Sequence, residues 1–244
     1  MSGFAFAVDT RDGRARAGRL LTPHGEFETP VFMPVGTAAA VKAVLHRDLA
    51  EVGARILLAN TYHLMLRPGD ALVASLGGLH GFTGWKGPFL TDSGGYQVFS
   101  LAALRRLDEE GVRFRSHLDG SEHLLSPERS IEVQQNLGAD IAMAFDECPP
   151  GDAARDVIEA ATARTTRWAR RSRDAHMKED QWLFGIVQGG VHLDLREEST
   201  RALVEIGFPG YAIGGLAVGE PKPGRDRVLE AVDLILPEER PRAT

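Results

Sequence analysis

Short apolar runs recur along the chain at VFMPV (31–35), ILLAN (56–60), PFLTD (88–92), IAMAFD (141–146), LFGIVQ (183–188) and YAIGGLA (211–217). They lack the polar alternation of a half-exposed strand, so they read as strands buried on both faces. Most of the segments between them have helical character. HRDLAEVGA follows the first run. SPERSIEVQQNLGAD precedes the fourth, with Ser126 as N-cap, Pro127 at the first helical position and Gly138 closing the helix. A stretch from Asp152 to about His176, HLDLREESTRALVEIGF, and Gly224 to Leu236 follow the fourth, fifth and sixth runs. Buried strands alternating with helices predict a parallel sheet covered by helices. Two segments depart from the rhythm. The first thirty residues read as short β segments, FAFAV and RARAGRLLT, with a turn at Pro23 to Gly25. VRFRSHLDGSEHLLS (112–126) alternates about Asp119-Gly120 and predicts a β-hairpin between the third and fourth strands.

Polar or backbone-exposing residues collect where the strands end: Asn60-Thr61, Asp92-Ser93-Gly94-Gly95-Tyr96, Asp146-Glu147-Cys148, Gln188-Gly189-Gly190 and Gly214-Gly215. Five successive strand ends carrying such residues favour a (β/α)8 barrel, whose active site lies at that end, over an open sheet with one switch point. Six strand–helix units are countable and a closed barrel needs eight. The expected fold is therefore α/β: an incomplete TIM barrel spanning 1–244, with an N-terminal β segment and an inserted hairpin.

Composition narrows the chemistry. With 43% hydrophobic residues, 244 residues can bury one sizeable core or two small ones. The net charge of -6 argues against non-specific phosphate binding, so a nucleic-acid contact would need a local patch. The one cysteine, Cys148, cannot form an internal disulfide, and no cysteine-built zinc site can be assembled from these residues. MSGFAFAVDTRDGRARAG is not expected to be a signal peptide. No apolar run approaches the ~20 residues of a membrane span. A soluble, cytoplasmic protein is expected. Neither GxGxxG nor GxxxxGK[ST] is present, which weighs against a nucleotide cofactor, and the eight histidines show no HExxH spacing.

Asp92 and Asp146 form a carboxylate pair suited to acid–base or nucleophilic roles. Each could instead merely cap a helix or bind a loop amide. That plainer role is weaker for Asp92, because Ser93, Gly94, Gly95 and Tyr96 follow it. The glycines let a flat ligand approach the backbone, and Tyr96 can stack on a ring. Gln188 offers a donor and an acceptor to a heterocycle edge. Gly214-Gly215 can present backbone N–H groups, although a glycine pair after a strand is more often a tight turn. Cys148 has no base placed beside it and reads as a pocket wall. His63 is the best site candidate among the histidines, with a structural role favoured. The arginines of RTTRWARRSRDAH (164–176) read first as a solvated helix face with partners such as Asp174, and second as a phosphate-contacting patch.

TDSGGYQVFS (91–100), FDECPP (145–150), GIVQGG (185–190) and AIGGLAVGEP (212–221), with NTYHLMLRPG (60–69) and TPVFMPVGT (29–37), resemble the tRNA-guanine transglycosylases. The resemblance runs from about residue 3 to residue 242. It implies a TIM barrel with an inserted zinc subdomain that exchanges guanine at the tRNA wobble position for a 7-deazaguanine base without a redox cofactor. It implies that Asp92 is the general acid/base and that Tyr96 stacks on the purine. Ser93 and the 92–96 loop form a wall, Asp146, Gln188 and the Gly215 backbone read the guanine edge, Cys148 lies beside Asp146, and Asn60 lies near the ribose. Cys148 and Val218 match the bacterial type that accepts preQ1. The implied partners are tRNA with a GUN anticodon, guanine or preQ1, and a second copy of the chain. The family's nucleophilic aspartate, in a DMFDCVLPTR-like block, and its CxCxxC…H zinc ligands are not found in these residues. The chain is therefore expected to be a C-terminally truncated form with no cofactor of its own. Two other readings compete: a non-catalytic paralogue that pairs with an active partner, and a barrel glycosidase acting on a free sugar.

Overall fold

Residues 3–101, 105–216 and 222–244 are described by the computed structural model. Along the chain run β1 (Ala5–Asp12), β2 (Ala15–Thr22), β3 (Gly25–Thr29), β4 (Val35–Gly36), α1 (His46–Glu51), β5 (Leu57–Ala59), α2 (Thr61–Leu66), α3 (Asp70–Ser75), α4 (Gly78–Thr83) and β6 (Phe89–Thr91). There follow α5 (Gly95–Leu101), β7 (Arg105–Leu107), β8 (Val112–Arg115), β9 (Glu122–Leu125), α6 (Pro127–Leu137), β10 (Ile141–Met143) and α7 (Arg155–Ala175). The last elements are β11 (Trp182–Val187), α8 (Leu193–Ile206), β12 (Gly210–Ile213), α9 (Lys222–Asp233) and β13 (Arg242–Ala243). The chain divides into two compact units. One holds residues 1–92, 132–142 and 177–182, and the other holds 93–131, 143–176 and 183–244.

In the first unit β1, β2 and β3 form an antiparallel meander, and β4, β5, β6 and β10 pair in parallel in that order. In the second, β7, β8 and β9 are antiparallel, while β11, β12 and β13 pair in parallel. Parallel strands that follow chain order, with helices between them, make the chain an incomplete α/β barrel of the TIM type. Among the described residues seven strands are parallel, one more than the sequence pattern predicts. The addition is β13, whose two residues, Arg and Ala, carry no apolar signal. The first predicted strand, 31–35, shrinks to Val35–Gly36, because Pro30 and Pro34 have no N–H to give a ladder. The hairpin forms as expected, with Arg115 opposite Glu122. Ser126 caps α6 by accepting a hydrogen bond from the Arg129 N–H at 3.2 Å.

Asp140 is the polar node of the first unit. It precedes β10, and its backbone N–H donates to Phe89 O while the Phe89 N–H donates to its Oδ2, both at 2.9 Å. His24 Nδ1 lies 2.8 Å from Oδ1, and His80 Nε2 lies 3.4 Å from Oδ2. The two imidazoles stack face to face at 3.4 Å with planes 11° apart. Ligating atoms of these three residues lie within 4.8 Å of one another. However, 2.8 Å is a hydrogen-bond distance, and an ion shared by two imidazoles must sit in both ring planes, which parallel stacked rings do not allow. The cluster is a clamp that ties β3's end to β6 and β10. Burial pushes the Asp140 carboxyl up, but hydrogen bonds from His80, the Phe89 amide and His24 together hold it below the ordinary carboxylate value.

In the second unit, α7 buries Ile158, Ala161, Thr162, Thr165, Trp168, Ala169 and Ser172, the three- and four-residue spacing of one helix face. Trp168 stacks on Phe145 at 4.9 Å and donates from Nε1 to Glu109 O at 3.0 Å. Three of the α7 arginines pair with residues outside their own helix. Arg167 binds Glu109 with both nitrogens, Arg171 binds Glu128 and the Glu109 and Glu110 carbonyls, and Arg164 pairs with Glu147. Their partners are distant in sequence, so no local spacing announces them.

The Asp140 clamp predicts a pH-dependent loss. Asp140→Ala strips a buried carboxylate from the Phe89 N–H and both histidines, and should cost about 1–3 kcal/mol at neutral pH. The depressed carboxyl stabilises the fold above its unfolded pKa of about 3.9, and this contribution fades as pH falls through the lower folded value. Chemical denaturation should therefore show the gap between wild type and variant narrowing below about pH 4. A gap that does not change with pH would contradict the clamp.

Candidate functional site

Each unit carries one aspartate just after a parallel strand, held by donors. In the first unit, β5 delivers Asn60 and Thr61, and β6 delivers Asp92. Asn60 Nδ2 donates to Asp92 Oδ2 at 2.5 Å, and the Thr61 N–H donates to Oδ1 at 2.8 Å. Thr61 Oγ1 donates to the Asp92 carbonyl at 2.5 Å, and the Asp92 N–H donates to Ala59 O at 3.3 Å. Both carboxylate oxygens and the backbone of Asp92 are thus fixed by the end of the neighbouring strand. His63 lies on α2, edge-on to Tyr62, with ring centroids 5.3 Å apart.

In the second unit the corresponding carboxylate is Asp146. It is buried, and two hydroxyls of α7 set its place. The Phe145 N–H donates to Ser172 Oγ at 3.1 Å, and the Glu147 N–H donates to Thr165 Oγ1 at 3.0 Å. In an extended segment alternate residues point to opposite sides, so pinning the backbone on either side of Asp146 orients its side chain. Ser93 Oγ donates to Asp146 Oδ1 at 2.6 Å, and Gln188 Nε2 donates to Oδ2 at 2.7 Å. Ser93 is itself held: its hydroxyl accepts from the Gly95 N–H at 3.1 Å, and its carbonyl accepts from Ser130 Oγ at 2.6 Å. The Gln188 N–H donates to Ser199 Oγ at 3.2 Å.

Two glycines are dictated by close approach. A Cβ on Gly95 would lie 2.3 Å from the Asp146 carbonyl oxygen, and one on Gly215, at φ +63°, would lie 2.7 Å from Gln188 Oε1. Tyr96 opens α5 with 54% of its surface exposed, so its ring is available to a ligand. Cys148 is buried. Burial first, then the Asp146 charge, pushes its thiol up to about 12, against smaller opposing effects of Gln188, Arg196 and Gly215. A thiol held protonated is no nucleophile, which fits a pocket wall.

The structure brings Ser93, Gly95, Asp146, Gln188 and Gly215 together in one unit, with Cys148 beside Asp146, and it brings Asn60 to Asp92 in the other. Val218, like all of 217–221, lies outside the described residues. Sequence reasoning missed Thr61 as a ligand of Asp92, Ser130 and Ser199 as supports, and Arg196. Arg196 is fully buried on α8 and donates to three carbonyls. In sequence it stands in a charged stretch, DLREEST, that looks like a solvated face. The 244 residues hold a single cysteine, Cys148, which is buried, so the cysteine ligands that the resemblance implies for zinc are not among them.

The fold is an incomplete α/β barrel, and in each unit a carboxylate stands just past the end of a parallel strand, held by polar groups. A family model described as queuine tRNA-ribosyltransferase matches residues 11–244. The chain is 59% identical over 242 residues to a queuine tRNA-ribosyltransferase of Thermus thermophilus, covering 99% of this chain and 63% of that protein. It is 63% identical over 228 residues to the one from Pelotomaculum thermopropionicum, covering 93% and 62%. It is 57% identical over 229 residues to the one from Staphylococcus aureus, covering 93% and 60%. The chain belongs to the queuine tRNA-ribosyltransferase family. It spans a little under two thirds of the length of these relatives.

The raised Cys148 thiol predicts slow alkylation. Near pH 8 iodoacetamide should label native Cys148 about two to three orders of magnitude more slowly than the unfolded chain. Equal rates in the two states would contradict the buried, protonated thiol.

Proposed function

We propose that these residues form the guanine pocket and the acid–base carboxylate of a tRNA-guanine transglycosylase, a pentosyltransferase that replaces guanine with preQ1 at the wobble position of tRNA with a GUN anticodon. The observation that carries this reading is the hydrogen-bonding state of Asp146. Ser93 Oγ donates to one of its oxygens and Gln188 Nε2 to the other, so the carboxylate is held in a fixed orientation just past the end of a parallel strand. A carboxylate has about four acceptor sites, two per oxygen, so one such group can accept from protein and ligand donors together. Guanine offers two parallel donors, N1–H and the exocyclic amine, that match such a carboxylate. The remaining Gln188 N–H and the Gly215 N–H are assigned to the base O6, and the Tyr96 ring to its face.

Asp92 precedes Ser93 in the chain and is assigned proton transfer at the nitrogen of the glycosidic bond. Asn60 and Thr61 hold its carboxylate while the proton moves. Attack on the ribose carbon is assigned, through the resemblance, to an aspartate of a DMFDCVLPTR-like block that these residues do not include. The preference for preQ1 over queuine rests on Cys148 and Val218. Action on tRNA supports a cytoplasmic location, and the resemblance supports a second copy of the chain as partner. Among the described residues no helix is long and apolar enough to cross a membrane.

The test is exchange of labelled guanine into unmodified tRNA bearing a GUN anticodon, by a protein that carries these residues together with the ribose-attacking aspartate. Asp92→Ala should lower exchange by at least about 10²-fold. Unchanged exchange in that variant would remove Asp92 from the chemistry.

A further inference from the structure

Arg196 is an expensive residue in its position. It lies in the first turns of α8, is 0% exposed, and brings a cation into the interior beside the ends of β11 and β12. Burying a guanidinium carries a desolvation penalty that an apolar side chain of similar volume avoids. Stability alone therefore gives no reason for its presence.

Its hydrogen bonds supply one. Nη1 donates to Val187 O and to Gly214 O, each at 2.8 Å, and Nε donates to Gly190 O at 2.8 Å. Val187 immediately precedes Gln188 and Gly190 follows two residues after it, so the guanidinium grips the chain on both sides of the base-reading amide. The third bond reaches across to β12, at the residue before Gly215. The planar fork offers donors in fixed directions to carbonyls from two strand ends, which a single ammonium nitrogen cannot reproduce.

We infer that Arg196 is a positioning residue of the base pocket: it locks the Gln188 amide and the Gly214-Gly215 backbone into one register. It touches no ligand atom in this assignment and acts through the groups it holds. The inference rests on the guanine reading above and adds to it the group that sets the spacing between the two base-reading strand ends.

Guanine binding to this chain, measured by calorimetry, tests it with wild type, Arg196→Lys, Gln188→Ala and the double variant. Arg196→Lys keeps the charge but loses the fork. It should keep wild-type circular dichroism while weakening guanine at least tenfold. The Gln188→Ala change should then cost much less in the Arg196→Lys background than alone, because the amide is already out of register. Wild-type affinity in Arg196→Lys, or losses that simply multiply, would overturn the positioning role. Should Arg196→Lys fail to fold, Arg196→Gln, which keeps an amide donor, takes its place under the same criteria. Failure of both to fold would make Arg196 a folding residue and would also overturn the inference. Absence of guanine binding by the wild type would instead sink the base-pocket reading itself.

Discussion

A buried carboxylate must have its charge answered, and much of the second unit is arranged to do that for Asp146. Ser93 and Gln188 each supply one donor, and neither is free to move. Ser93 is held by Ser130 and Gly95, and Gln188 by Ser199. Removing any of these supports would leave the charge partly unpaired in a low-dielectric setting, where an unmet polar group is costly. Ser93 and Gln188 are neutral donors, unlike the guanidinium in the ion pair of Arg167 with Glu109, where two nitrogens meet two oxygens.

The outer helices place these groups as much as the strands do. From α7, Thr165 and Ser172 fix the backbone around Asp146, and Trp168 packs on Phe145 next to it. From α8, Ser199 and Arg196 fix Gln188 and its surroundings. A barrel strand ends where its ladder ends, and the residues beyond it have no sheet neighbour to hold them. Hydroxyls and a guanidinium reaching in from the following helix do that work. Asp92 shows the other solution, in which the neighbouring strand end, through Asn60 and Thr61, supplies the donors directly.

The strand–helix alternation was legible because buried parallel strands read as unbroken apolar runs, and the strand-end polar residues stood out against them. The α6 cap was legible because Ser126-Pro127 is a local signal. Strands β4 and β13 were not. Prolines interrupt the first, and the second has two residues with no hydrophobic signature. Asp92, Ser93, Asp146 and Gln188 could be picked from residue type and place, but the bonds joining Ser93 and Gln188 to Asp146 link residues 53 and 42 positions apart. Arg196 was hidden altogether: a charged residue between charged neighbours reads as surface, and only packing reveals that it faces inward.

The central claim is that Asp146 reads two adjacent donors on a purine edge. Competition binding of guanine, hypoxanthine and adenine to this chain tests it most directly. Hypoxanthine keeps N1–H but lacks the exocyclic amine, and adenine presents an acceptor at N1. The account predicts guanine tightest, hypoxanthine weaker by about 10-fold or more, and adenine weakest, as a site left with an unpaired buried acceptor requires. Equal affinity for the three bases would contradict it.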